Sequence, residues 1–180
     1  MKLLVDRKYT SRSGLTIIGG SNGGLLMGAM ITQHPEACRV VVSEVGIYDM
    51  LRVELSPNGA FNVPEFGTVK DRDQFQAVYA YSPYHRVVDG TKYPSIFFMT
   101  GANDPRVDPM QSRKMTARLQ DASASGHPIL LRTSSSTGHG LGTPLDEQIK
   151  EQTDTFSFVL NELGLKFQSP AVKEGAPSSP

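Results

Sequence analysis

Four short apolar runs recur along the chain, and each is followed by residues that are typical of turns. They are LTIIGG at 15–20, RVVVSEVG at 39–46, PSIFFMTG at 94–101 and PILLRTSS at 128–135. Runs that are apolar at nearly every position are typical of parallel strands covered on both faces, whereas alternating runs indicate a half-exposed sheet. The pattern therefore predicts a mostly parallel sheet of about four strands.

Between these runs, apolar residues recur at helical spacing. The segment 23–36 predicts a helix closed by Pro35, and 108–122 predicts a second helix. A third is predicted over 145–164, with Gly164 as its C-cap. The apolar residues expected on one face are Met110, Met115 and Leu119 in the second helix, and Ile149, Phe156, Val159, Leu160 and Leu163 in the third. Alternating strands and helices place the chain in the α/β class, with right-handed crossovers.

Two segments depart from this alternation. Residues 48–92 are long, irregular and rich in aromatic side chains, and we expect a helical and loop excursion on the carboxyl side of the sheet, where ligands bind in this class. Residues 168–180 are rich in Pro, Ser, Gly and Ala, which predicts a disordered tail after a single domain over 1–167.

Composition narrows the function classes. Lys and Arg number 18, as do Asp and Glu, so a nucleic-acid partner is not expected. Cys38 is the only cysteine, which excludes an intrachain disulfide and a cysteine metal cluster, and we expect it to be buried. His and acidic residues show no ligand-like spacing, so neither metal nor cofactor is expected. No apolar run is long enough for a signal peptide or a membrane span, so the expected location is cytoplasmic.

The segment GGSNG, at residues 19–23, matches the G-x-S-x-G motif between a predicted strand and a predicted helix. In a nucleophile elbow, a tight turn lifts the serine above the sheet, and small neighbours prevent clashes. Gly19, Gly23 and Gly24 meet that need around Ser21. The alternatives are a glycine-rich turn that only packs a helix on a strand, or a phosphate loop, although no basic residue follows Ser21 before Arg39.

A nucleophilic serine needs a base and an acid that orients the base. His139 lies in a glycine-flanked loop after the fourth predicted strand, and Asp104 lies at the exit of the third. Elbow-type hydrolases have the chain order serine, acid, histidine, which these residues follow. Asp108 is the other acid in that loop and is expected to cap the next helix. The alternative roles are a solvated surface residue for His139 and a turn or cap residue for Asp104.

The segments GGSNGG, NDPRVDPMQSRKM and GHGLGTP, together with YSPYH and YPS, resemble the prolyl oligopeptidase family of serine peptidases. The resemblance runs from about residue 8 to about residue 167 and implies the α/β-hydrolase fold. It implies Ser21 as nucleophile, Asp104 as acid and His139 as base. It also implies that the backbone N–H of Asn22 donates to the oxyanion.

The same resemblance assigns residues to substrate binding. Arg106 matches the arginine that anchors a substrate carbonyl in the family. Ile47, Phe66 and Val107 fall where the family lines the pocket for the residue before the scissile bond, and the alternative for each is a residue of the hydrophobic core. Asn62 falls where family members that cleave after proline carry a tryptophan, and the chain has no tryptophan. The sequence therefore does not predict a proline preference.

Parts of the family's architecture have no counterpart in these 180 residues. The family carries a β-propeller ahead of the catalytic domain, and the first half of its hydrolase sheet holds a tyrosine that is the second oxyanion donor. The resemblance therefore implies the C-terminal part of such a domain. The strand at 15–20 then becomes an edge with unpaired backbone groups, and we predict self-association through it as a homo-oligomer.

These expectations lead to one main function and two alternatives. An open site with an incomplete oxyanion hole favours substrates with good leaving groups, so the main prediction is a serine hydrolase of small carboxylic esters that acts through an acyl-enzyme. The first alternative is a serine oligopeptidase that cleaves short peptides. The second is an inactive fragment or interaction module.

Overall fold

The computed structural model describes residues 1–168, so the predicted tail lies outside the described residues except for Gln168. The four strands are β1 (Thr16–Gly20), β2 (Val40–Glu44), β3 (Ser95–Gly101) and β4 (Ile129–Ser134). All neighbours are parallel, in the spatial order β1-β2-β3-β4. The predicted α/β class and the four-stranded parallel sheet are confirmed.

Residues 1–168 form six α-helices and four short 3₁₀ helices beside the sheet. The α-helices are α1 (Lys2–Asp6), α2 (Asn22–Gln33), α3 (Val63–Phe66), α4 (Arg72–Tyr81), α5 (Met110–Ala122) and α6 (Leu145–Glu162). The 3₁₀ helices span Arg12–Gly14, Val53–Leu55, Gly59–Asn62 and Pro83–Arg86. Of the six, α2, α5 and α6 match the three predicted helices. Gly164 adopts φ +67 just after α6, as expected of a glycine at a helix end.

Successive strand residues point to opposite faces of the sheet, and both faces are covered. On one face, Val41, Ile96 and Phe98 are buried against residues of α2 and α5. On the other face, Val42 and Phe97 pack near Phe158 and Val159 of α6. Burial on both faces explains why the strands are apolar at nearly every position.

The predicted helix faces were partly wrong. In α5, Met115 and Leu119 are fully buried, but Met110 is 48% exposed because it is the first residue of the helix. In α6, Val159 faces the sheet, whereas Ile149, Phe156 and Leu160 line an outer groove of about 880 Å³ with neighbouring side chains. The helix carries two apolar stripes, and periodicity alone does not say which of them meets the sheet.

The excursion over 48–92 consists of 3₁₀ turns, α3 and α4, as predicted, and α5 anchors its start. The Gln111 side-chain oxygen accepts the backbone N–H groups of Tyr48 (2.9 Å) and Asp49 (2.7 Å). The Ser82 hydroxyl accepts the N–H of Met50 at 3.1 Å. This segment is therefore fixed to the helix that follows the predicted acid loop. Cys38 is buried as expected, and burial raises the pKa of its thiol to about 11.

Within residues 1–168, β1 is an edge strand that pairs with β2 alone. Ile18 on this strand is 54% exposed, and Leu26 of α2 is 57% exposed. The exposed edge is thus present in the described sheet, while self-association through it stays a prediction. No helix in the described part of the chain combines the length and the apolar character needed to cross a membrane.

Our first stability prediction concerns the buried carboxylate of Asp49. The Asp49 side chain is 1% exposed and pairs with Lys114 and, at 3.2 Å, with Arg52. Burial acts to raise the pKa of Asp49, but the hydrogen bond and charge of Lys114 outweigh it and leave the pKa below its usual value. Asp49→Asn should cost roughly 3 kcal/mol in the free energy of unfolding, near the lower end for breaking a buried pair.

The same pair predicts a pH dependence. Because the pKa of Asp49 is lower in the folded state, its ionised form contributes stability above the unfolded pKa, near 3.8, and this contribution is lost as pH falls through the lowered pKa. Urea unfolding at pH 7 and at about pH 3 should therefore show the gap between wild type and Asp49→Asn shrinking in acid. An unchanged gap would show that this pair does not control acid stability. Asp89→Asn, an exposed carboxylate paired with Arg118, is the control.

Candidate active site

Ser21 lies in the turn between β1 and α2, in a strained backbone conformation. Its φ of 56° and ψ of −117° are unusual for a residue other than glycine. Its N–H donates to the Glu44 carbonyl at 2.8 Å, which ties the turn to the end of β2. Strain of this kind persists only where the surroundings impose it, and such sites cluster in active sites.

Two of the three glycines beside Ser21 are required for space, as predicted. A Cβ on Gly19 would lie 2.6 Å from the Gly23 carbonyl oxygen, and a Cβ on Gly24 would overlap Gly46. The prediction was wrong for Gly23, where a Cβ would meet no atom within 4 Å. The side of α2 at Gly23 is open, so none of the residues 1–168 requires a glycine there.

The three predicted triad residues lie in one chain of hydrogen bonds. His139 Nε2 lies 2.9 Å from Ser21 Oγ, and His139 Nδ1 lies 2.7 Å from Asp104 Oδ2. The Asp104 side chain is fully buried, and that of His139 is 14% exposed. Residues separated by up to 118 positions along the chain thus meet at the carboxyl end of the sheet.

The loop after β3 holds the Asp104 carboxylate in place. Asp104 Oδ1 accepts the backbone N–H groups of Arg106 at 2.8 Å and Val107 at 2.9 Å, while Oδ2 faces His139. Asp108 Oδ1 accepts the N–H of Met110, the first residue of α5, at 2.9 Å, but the N-cap position itself is Pro109 and not Asp108. Both oxygens of Asp104 are therefore used, and the carboxylate cannot rotate without losing hydrogen bonds.

The His139 loop, which connects β4 to α6, contacts the end of β3. The Asn103 N–H donates to the Thr137 carbonyl at 3.1 Å, and the Asn103 side chain donates to the Ser135 carbonyl at 2.8 Å. The carbonyls of Thr137 and Gly138 approach Gly101 so closely that a Cβ would overlap them. Gly101 was not identified from the sequence, in which it stands out only as a glycine at the end of an otherwise apolar strand.

Asn22 is the first residue of α2, so its N–H lies at the positive end of the helix dipole. The hydrogen bonds of residues 1–168 include no acceptor for this N–H, whereas the Ser21 carbonyl accepts from Gly24 and Leu25. A helix N-terminus with a spare N–H group suits a developing anion. The position of Asn22 is thus compatible with the oxyanion role that the resemblance implies.

The structure brings the predicted pocket residues into one apolar cluster. Ile47 and Val107 are buried, and Phe66 packs against the same cluster at partial exposure. The other members, which sequence analysis did not identify, are Leu25, Met50, Leu51, Val53, Val78 and Tyr81. Leu25 belongs to the first turns of α2, so this pocket cluster adjoins the Ser21 turn.

Arg106 lies on the exposed turn between Asp104 and the pocket cluster. Its backbone N–H donates to Asp104, and its carbonyl accepts from the Asn58 side chain at 3.5 Å. The residue is exposed, and its guanidinium makes no hydrogen bond within residues 1–168. Together with Asn58, Phe61 and Pro105 it lines a cleft of about 390 Å³. Asn62 ends the 3₁₀ helix that carries Phe61.

Other ionisable groups lie near His139. A small cleft of about 90 Å³ is lined by His139, Glu44 and Glu151 among others. Burial raises the pKa of Glu44, and it also raises that of Glu151 despite the nearby Arg132. Within residues 1–168, His, Cys, Asp and Glu form no group of three or more that could hold a metal ion.

Comparison with known proteins gives one consistent family. The model of the prolyl oligopeptidase family matches residues 1–166. The chain is 40% identical over 159 residues to a prolyl endopeptidase of Elizabethkingia miricola, covering 88% of this chain and 23% of that protein. It is 39% identical over 166 residues to a prolyl endopeptidase of Dictyostelium discoideum, covering 91% and 22% respectively. The chain therefore spans about a quarter of the length of these curated relatives.

Solved structures agree with this assignment. A prolyl endopeptidase structure superposes with a TM-score of 0.89 at 39% identity, over 92% of this chain and 24% of that one. A prolyl oligopeptidase B of Galerina marginata, bound to a 35mer hydrolysis and macrocyclization substrate, superposes with a TM-score of 0.88 at 32% identity, over 93% and 24%. Oligopeptidase B of Leishmania major gives 0.86 at 28%, over 91% and 23%.

Proposed function

The chain belongs to the prolyl oligopeptidase family, and we propose that it is a serine hydrolase that cleaves short peptides through an acyl-enzyme. The hydrogen-bonded chain Ser21–His139–Asp104 carries this proposal. A hydroxyl, an imidazole and a buried carboxylate in this order form the arrangement that activates a serine for acyl transfer.

The mechanism follows from the positions of these groups. His139 carries its proton on Nδ1, and this N–H donates a hydrogen bond to the Asp104 carboxylate, which stays ionised. Nε2 is therefore free to accept the Ser21 proton as Oγ attacks the substrate carbonyl. The Asn22 N–H donates to the oxyanion that forms. The imidazolium then protonates the leaving group, and the same imidazole activates water to hydrolyse the acyl-enzyme.

The comparisons favour the peptide alternative over small carboxylic esters, which were the main prediction from the sequence. The relatives are named prolyl endopeptidases, and one neighbour, a prolyl oligopeptidase, is bound to a 35mer hydrolysis and macrocyclization substrate. A good leaving group makes each turnover faster but does not decide which substrates a site binds, whereas the names of the relatives refer to the cleavage of peptides. We therefore assign short peptides as the substrate class.

The residues around the site support an apolar side chain before the scissile bond. Ile47, Phe66 and Val107 are all apolar and belong to the pocket cluster beside the Ser21 turn. We expect a small apolar residue, proline included, to be preferred there. Arg106 is accessible next to this cluster and is suited to bind a substrate carbonyl.

The proposal is tested with the purified chain, using succinyl-Gly-Pro-p-nitroanilide, its Ala and Lys analogues, and p-nitrophenyl butyrate. We expect hydrolysis of the anilides, with kcat/KM for proline or alanine at least about tenfold above lysine, because an apolar pocket does not pair a buried ammonium. Hydrolysis of the butyrate alone would restore the ester assignment. If a fluorophosphonate probe labels neither wild type nor Ser21→Ala, the chain is a non-enzymatic module.

A further inference from the structure

The side chain of Asn22 makes a long-range contact of its own. Its Nδ2 donates to Glu65 Oε1 at 3.0 Å, across 43 positions of sequence. Its neighbour Ser21 forms no side-chain cap on α2, because the hydroxyl faces His139 instead. The residue that presents the spare backbone N–H at the start of α2 is thus held from outside the helix.

Glu65 lies in α3, directly before Phe66 of the pocket cluster. This four-residue helix is followed by Gly67 at φ +88, and Thr68 then donates to Glu54 at 2.7 Å. The Thr68 N–H also donates to Gln74 Oε1 at 2.9 Å, so the segment is held at Asn22, at Glu54 and at Gln74. A displacement of Phe66 by a substrate side chain would act on the adjacent Glu65.

We propose that Glu65 is a positioning residue that couples the pocket cluster to the oxyanion donor through the Asn22 side chain. The inference rests on the proposed function for its catalytic consequence. A hydrogen bond to a charged acceptor is stronger than one between neutral groups, so the carboxylate restricts the Asn22 side chain and, with it, the peptide unit that carries the N–H. Small misplacements of such a donor reduce rates substantially.

Two effects of Glu65 act in opposite directions. Its hydrogen bond orients Asn22, whereas its negative charge disfavours a nearby oxyanion. The pair is exposed, so water weakens the charge effect more than it alters the geometry. We therefore expect orientation to dominate. Glu65→Gln keeps an acceptor oxygen without the charge, and Glu65→Ala removes both, so the two variants separate these effects.

The kinetic test uses succinyl-Gly-Pro-p-nitroanilide. Glu65→Ala should lower kcat about tenfold with little change in KM, because the oxyanion donor acts in the transition state, and Glu65→Gln should recover most of the loss. Glu54→Ala is the matched control, since it loosens the same segment through Thr68 without touching Asn22, and its kcat should be unchanged. An equal fall in kcat for Glu54→Ala, or a change confined to KM, would overturn the proposal.

A double-mutant cycle and a spectroscopic measurement complete the test. Asn22→Ala and Glu65→Ala should be non-additive in kcat, because they interrupt the same contact, and additive losses would contradict the proposal. In ¹⁵N spectra of the full chain, the backbone and side-chain amide signals of Asn22 should shift in Glu65→Ala and stay in place in Glu54→Ala. Unmoved Asn22 signals in Glu65→Ala would overturn the coupling, whether or not the wild type is active. If the wild type hydrolyses no substrate, that result alone rejects the proposed function and leaves the coupling to the spectra.

Discussion

Ser21→Ala is expected to lower kcat for the peptide anilides by roughly 10⁴- to 10⁶-fold, the range seen when the nucleophile of a triad is removed. Alanine fits the turn as well as serine does, but it lacks the Oγ that lies 2.9 Å from His139 Nε2. No other hydroxyl is hydrogen-bonded to that imidazole in residues 1–168, so the covalent route is lost.

The stronger version of this experiment combines variants. His139→Ala should produce a loss of similar size, and Ser21→Ala/His139→Ala should be no worse than either single variant, because the residues act as one unit. Thermal unfolding of each variant shows whether the fold is retained. Multiplicative losses in the double variant, or appreciable activity in folded Ser21→Ala, would contradict the triad mechanism.

Gly101→Ala is expected to have the second-largest effect, although Gly101 makes no contact with substrate in the mechanism. The added Cβ would overlap the backbone carbonyls of Thr137 and Gly138, and backbone atoms cannot rotate aside as a flexible side chain can. The loop must therefore move, and His139 moves with it. A displacement of about 1 Å costs about 100-fold in rate, so kcat should fall by about that factor or more.

The measurement for Gly101→Ala is kcat together with the midpoint of thermal unfolding. We expect both to fall, because the hydrogen bond between Asn103 and Thr137 is strained by the same shift. Gly14→Ala is the matched control, because the Cβ there lies 3.3 Å from the Thr10 hydroxyl, the movable end of a side chain. Unchanged kcat in Gly101→Ala would show that the His139 loop can retreat without moving the imidazole.

Some residues of the site could be identified from the sequence alone, and others could not. Ser21, Asp104 and His139 each follow a predicted strand and carry a reactive group, and their chain order together with the family resemblance selected them. Glu65 has no such signal, because it lies in an irregular segment and acts across 43 positions on Asn22. Gly23 shows the opposite case, since the motif indicated a need for space that the described structure does not impose.

The outer groove along α6 illustrates the limit of periodicity. Ile149, Phe156 and Leu160 have the spacing of a buried stripe, yet they lie on the side of the helix away from the sheet. Which stripe is buried depends on how the helix is rotated about its axis. That rotation is set by contacts of Phe158 and Val159 with the sheet and by Arg132 of β4, which pairs with three acidic residues of α6.

The sequence by itself determined the elements, their order and the turn that carries Ser21, and it predicted the three residues that the structure joins by hydrogen bonds. The elements and the Ser21 turn are local properties, because strand and helix periodicity and tight-turn glycines are visible in residues only a few positions apart. Only the tertiary structure decided the hydrogen-bond distances within the triad, the close approach at Gly101, the pairing of Asn22 with Glu65 and the membership of the pocket cluster. Those depend on how distant segments meet, which is set by packing between elements rather than by any one of them.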